Sequence, residues 1–96
     1  MDINIVTKVM DGKGQLLDVR TQEEWDNGHA DRAIHIPLQE LTDAQLSKLD
    51  LTKPIYTYCQ SGNRAGQAAD FLRKKGFEAH NIGGLDTWET AGGGIT

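Results

Sequence analysis

Residues 54 to 64 read Pro54-Ile55-Tyr56-Thr57-Tyr58-Cys59-Gln60-Ser61-Gly62-Asn63-Arg64, and residues 65 to 76 continue Ala-Gly-Gln-Ala-Ala-Asp-Phe-Leu-Arg-Lys-Lys-Gly. Ile55 to Tyr58 is β-branched and aromatic, the composition of a strand packed on both sides. Beyond the polar loop, Ala65, Ala68, Ala69 and Leu72 recur on one face at the 3.6-residue period of a helix. Arg73, Lys74 and Lys75 complement the negative end of that helix, and Gly76 supplies its stop. A strand, a short loop and a helix in this order make half of a βαβ unit.

Working outward, the same alternation continues. Leu16-Leu17-Asp18-Val19 is a short strand, and Thr21-Gln22-Glu23-Glu24 has the spacing of a capping box that opens a helix. Ala33-Ile34-His35-Ile36 is a second buried strand, ended by Pro37. Thr42-Asp43-Ala44-Gln45 repeats the capping spacing and predicts a helix toward Leu49. Ala79 to Ile82 is a last strand, Leu85 to Thr90 a last short helix, and Gly92-Gly93-Gly94 a frayed tail. Strands alternating with helices predict an α/β fold with a mainly parallel sheet. The chain of 96 residues suits one domain over 1–96. Working sites of such sheets lie at the carboxyl ends of the strands, here the loop after Tyr58.

Composition narrows the function. Ten Lys and Arg against 14 Asp and Glu leave a net charge of -4, without the basic footprint of a nucleic-acid binder. No apolar run reaches the length of a membrane span, so no membrane partner is expected. The start Met1-Asp2-Ile3-Asn4 lacks the layout of a secretory signal; the expected compartment is cytoplasmic, or periplasmic if a signal was removed. The single cysteine forms no internal disulfide and has no resolving thiol within the chain. A covalent intermediate on it must be released from outside.

A lone cysteine is by count more often a small core hydrophobe than a nucleophile. Position reverses that reading for Cys59, which ends a strand and faces the start of a helix, where unpartnered N–H groups favour an anion. Ser61 and Gly62 let the backbone curl into an anion nest, and Arg64 adds a planar cation. Such a setting lowers a thiol pKa and makes the thiolate the reactive form. Arg64 stands at the positive end of its helix, which predicts an anionic partner within the loop. Gln60, Ser61, Gly62, Asn63 and Arg64 are thus the candidate substrate-binding residues around the catalytic candidate Cys59.

These motifs together resemble the rhodanese family. The carriers are Cys59-x-x-Gly62-x-Arg64, Leu17-Asp18-Val19-Arg20 with Glu24-Trp25, Gly28-His29 with Ala33-Ile34-His35-Ile36-Pro37, and Asn81-Ile82-Gly83-Gly84 with Trp88. The resemblance covers residues 15 to 92, and the compact form looks like the small bacterial phage-shock-type rhodaneses. It implies a five-stranded, mainly parallel sheet flanked by helices, and a thiosulfate sulfurtransferase whose Cys59 cycles through a persulfide. The implied partners are a small anionic sulfur donor such as thiosulfate and an acceptor, cyanide or a thiol, a thioredoxin-like protein included. No cofactor or metal is implied, and a monomer is expected. Alternatives are a sulfur-carrier or binding module without turnover, and a phosphatase or arsenate reductase. Those enzymes use a loop one residue longer than the one between Cys59 and Arg64.

Two residues depart from the family pattern. Arg32 stands where glycine is usual, and Ala65 where serine often follows the loop arginine. Asp18 and Arg20 read as a structural network beneath the loop, Trp25 and Trp88 as core or rim aromatics. His29 has no third group to orient it as a base and reads as part of a turn. One cysteine with scattered histidines is not a zinc pattern.

Overall fold

A computed structural model describes residues 1–96. The elements in chain order are α1 (Ile3–Met10), β1 (Gln15–Asp18), α2 (Gln22–Asp26), β2 (Ile34–His35), β3 (Ile55–Cys59), α3 (Asn63–Lys74), β4 (Ala79–Gly84) and α4 (Leu85–Thr90). Two 3-10 segments, Leu38–Glu40 and Asp43–Lys48, lie between β2 and β3. The sheet runs β2-β1-β3-β4 with every pair parallel.

Period-two alternation on β3 explains how one strand serves two layers. Ile55 and Cys59 join the core with Ala65, Ala68, Ala69 and Leu72 of α3. Tyr56 and Tyr58 point the other way, onto Val9 of α1 and Trp88 of α4. All five residues of β3 are therefore buried, as expected of a parallel strand covered on both faces. Helix α3 packs by its four small and branched apolar residues, each fully buried, which lets the helix lie close to the sheet.

Several expectations need correction. The sheet has four strands, not the five implied by the family resemblance. The residues ahead of β1 are taken up by α1, whose first turn is capped by the Asp2 carboxylate accepting from Asn4 N–H at 2.9 Å, so no strand lies beyond β4. The segment after Thr42 is 3-10 rather than α-helical, and the Thr42 side chain caps nothing. The glycine-rich tail is docked, not frayed. Gly94 O accepts from Trp88 Nε1 at 2.8 Å and from Asp31 N–H at 2.9 Å, and Ala30 bridges Ile95 antiparallel. Arg32 does adopt the left-handed conformation, with φ 66°, that the usual glycine takes without steric cost.

Candidate active site

Cys59 closes β3 with 1% of its surface exposed, so it is at once a core residue and the floor of the loop. Its Sγ accepts from the backbone N–H of Gly62 at 3.0 Å and of Ala65 at 3.4 Å. Those amides converge because Gly62, at φ 101°, turns the chain left-handed just before α3 begins. Burial pushes the thiol pKa up, but the N–H groups of Ala65, Gly62, Ser61 and Arg64 outweigh it and hold it below the ordinary value. The cradle is thus built from main chain. Gln60, Ser61 and Asn63 are exposed, and the Asn63 side chain accepts from Gln67 along the helix, away from the sulfur.

Arg64 departs from its expected arrangement. Its ion-pair partner is Glu24 of α2, outside the loop, gripped fork to fork at 2.6 and 2.9 Å. Glu24 is also the N3 residue of the capping box. Its carboxylate accepts from the Thr21 N–H and hydroxyl, both at 3.1 Å, while Glu24 N–H donates back to Thr21 Oγ1. Hydrogen bonds from Arg64 lower the Glu24 pKa to about 2 against the opposing effect of burial. The Arg64 proton is held more firmly than usual, first by Glu24 and, after opposing burial, by the charges of Glu24 and Cys59. Two negative groups, the Glu24 carboxylate and the Cys59 thiolate when it forms, thus favour the charged guanidinium.

Beneath the loop the Asp18–Arg20 network is structural, as expected. Arg20 donates to Asp18 through Nε at 3.0 Å and Nη2 at 2.6 Å, and to Gly28 O at 2.8 Å. Tyr58 OH donates to Asp18 and accepts from Ala30 N–H at 3.0 Å. Burial, then the hydrogen bond to Asp18, raises the Tyr58 pKa, which keeps the phenol protonated. His29 is likewise structural. Its ring stacks on Trp25 at 3.5 Å with Nδ1 near Trp25 O, and His35 stacks on Trp25 at 4.6 Å.

Two supports escaped sequence reasoning. Asn81 of β4 donates from Nδ2 to Gly62 O at 2.9 Å and accepts from Gly83 N–H, pinning the turn that makes the cradle. Gly84 passes so near the loop that a Cβ there would lie 2.2 Å from Gln60 O. Both belong to the Asn81-Ile82-Gly83-Gly84 motif, and the paired glycines beside a strand end were the available signal.

Comparison with known proteins agrees on the family. The model of the rhodanese-like domain matches residues 4–91. YqhL of Bacillus subtilis, an uncharacterized protein, is 42% identical over 78 residues, 79% of this chain and 61% of YqhL. A putative sulfur carrier protein of the same organism, YrkF, is 35% identical over 75 residues, 76% of this chain and 40% of YrkF. The crystal structure of BH2092 from Bacillus halodurans superposes with a TM-score of 0.85 at 28% identity, covering all of this chain and 74% of that one. The chain thus spans less than two thirds of either curated relative.

Proposed function

Because this chain belongs to the rhodanese-like domain family, we propose that it is a sulfurtransferase carrying a sulfane sulfur on Cys59 as a persulfide. The observation that carries the reading is the pair of amides, Gly62 and Ala65, aimed at Sγ. They stabilise a thiolate before transfer and an anionic persulfide after it. The Cys59 thiolate attacks the outer sulfur of a donor, and the bond to the inner atom breaks with its electron pair leaving on the donor remnant. With thiosulfate the remnant is sulfite. An external acceptor then takes the outer sulfur: cyanide becomes thiocyanate, or a thiolate becomes a persulfide, and the Cys59 thiolate returns. The remaining loop residues, Gln60 to Arg64, bound the space in which the donor sits, mainly through their backbone.

Intact mass spectrometry tests this. Purified protein treated with thiosulfate or an alkyl persulfide should gain the mass of one sulfur atom and lose it on addition of cyanide. Cys59→Ser should gain none. Loading that survives in Cys59→Ser removes Cys59 as the nucleophile. The name of YrkF favours a second reading, a carrier that hands sulfur to a protein partner with no turnover on small acceptors. Loaded protein that keeps its sulfur in cyanide but yields it to a thioredoxin-like thiol would select that reading.

A further inference from the structure

Arg64 is the only cation in the segment from Cys59 to Arg64 and would be the natural handle for an anionic donor, yet both its terminal nitrogens are engaged by Glu24. Glu24 is not free to turn aside, because Thr21 holds the same carboxylate through its N–H and its hydroxyl. Nor does Arg20 stand in for Arg64: it is 3% exposed, with its guanidinium on Asp18 and Gly28 O. The mouth therefore holds a cation already paired with a carboxylate, and the Cys59 thiolate that attacks the donor brings the net charge to negative.

We infer that Glu24 is a specificity-determining residue that disfavours small dianionic sulfur donors and fits the site to persulfides borne on a neutral or cationic group. This rests on the sulfur-transfer reading above. With thiosulfate, the attacking thiolate and the donor bring three negative charges together, and the products, a Cys59 persulfide anion and sulfite, still carry three. The dianion must either sit against the Glu24 carboxylate or pull Arg64 away from it. With a protonated persulfide R–S–SH, the thiolate attacks the outer sulfur and the S–S bond breaks. The electron pair leaves on the R–S sulfur, which takes the proton as R–SH while the new Cys59 persulfide is anionic, so there is one negative charge before and one after. No competition for Arg64 arises, and a cationic R group gains from Glu24.

The test compares wild type, Glu24→Gln and Glu23→Gln, using thiosulfate and 2-aminoethyl persulfide as donors. Glutamine is accepted at N3 of a capping box, so α2 keeps its cap while the charge is lost. Glu23 is exposed on the same helix and serves as a control for overall charge. Glu24→Gln is expected to lower KM for thiosulfate about fivefold, the scale of a part-exposed ion pair, with kcat little changed. Loading from the persulfide should stay level or fall, and Glu23→Gln should change neither. An unchanged KM for thiosulfate in Glu24→Gln, while the persulfide loads all three proteins, overturns the inference. Failure of both donors on all three proteins would instead remove the sulfur-transfer reading. Protection of Cys59 from iodoacetamide by sulfite then decides the role of Glu24 without turnover. Protection at lower sulfite in Glu24→Gln upholds it, and equal protection sinks it.

Discussion

Tyr58 and Asp18 meet across the β1–β3 pair at 2.5 Å, the phenol donating to a carboxylate that has no exposed surface. Because Tyr58 precedes Cys59 on the strand, the same backbone that aims Sγ up at the loop aims this hydroxyl into the opposite layer. The contact thereby ties the strand carrying Cys59 to the turn at Ala30 through Tyr58 and Arg20.

Tyr58→Phe removes one donor to a buried carboxylate and one acceptor for Ala30 N–H. A loss of about 2 kcal/mol is expected, with the melting temperature falling by roughly 10 °C. Urea unfolding monitored by circular dichroism checks it, and an unchanged midpoint would show that Asp18 is held by Arg20 alone.

The acid limb of the stability curve should carry the signature of Glu24. Its folded pKa, about 2, lies below the ordinary glutamate value, so its contribution is fully present above the unfolded pKa and is lost as pH falls toward about 2. Glu24→Gln should flatten the decline over that window relative to wild type in denaturant titrations at stepped pH.

Alkylation of Cys59 against pH should show a midpoint below the free-thiol value of about 8.5, since the four loop amides outweigh burial. The linked stability has a fixed sign. It is fully present above the unfolded thiol pKa and fades as pH falls through the lower folded value. A midpoint at or above that of a free thiol would mean an inert core cysteine.

Gly84→Ala separates crowding from conformation. Gly84 has φ -112°, open to any residue, so the substitution acts only through the Cβ that would meet Gln60 O at 2.2 Å. The Cys59 alkylation midpoint should rise toward that of a free thiol and sulfur loading should slow about tenfold or more. Gly76→Ala has the opposite character: φ 94° and nothing within 4 Å. It should cost about 1 kcal/mol in stability and leave the loop chemistry intact.

Aryl phosphate hydrolysis should be negligible beside sulfur transfer. A phosphoryl group needs every equatorial oxygen met by a donor, and the loop from Cys59 to Arg64 turns its amides onto a single sulfur, with Arg64 engaged elsewhere. Inserting one glycine between Ser61 and Arg64 should shift relative activity toward the phosphate ester. Efficient hydrolysis by wild type without sulfur transfer would place the loop with the phosphatases.

Strands β1, β3 and β4 and helix α3 were legible because their local signals agree with their tertiary setting, whereas the buried strand expected over residues 33–36 is only Ile34–His35, half-buried. Ile55 to Tyr58 and the Ala65-Ala68-Ala69-Leu72 face are buried as their composition and period imply. Helix α1 was not, because Ile3, Ile5, Val6 and Val9 mix strand-like alternation with helical spacing, and Asp2 alone marks the start. The docked tail was invisible because three glycines carry no side-chain signal, and its anchors, Trp88 and Asp31, lie elsewhere in the chain. In the loop, Cys59 and the amide cradle could be read from strand, loop and helix order. The Glu24–Arg64 pair joins residues 40 apart in sequence, and a capping box explains Glu24 so fully on its own that nothing local suggests a second duty.

The all-parallel order β2-β1-β3-β4 also governs how the chain reaches this state. No two neighbouring strands form a hairpin, and the central pairing joins Gln15 to Ile55 and Asp18 to Tyr58, again 40 residues apart. No sheet contact can therefore form before a long stretch of chain has closed, and α3 is the only helix of three turns available to form early. The nucleation barrier should consist largely of β1 finding β3. Conservative substitutions at Leu17 and Ile55 should slow refolding, whereas those in α4 should mainly speed unfolding. The thiolate cradle, which needs β3, α3 and the Asn81 buttress together, is then among the last features to assemble.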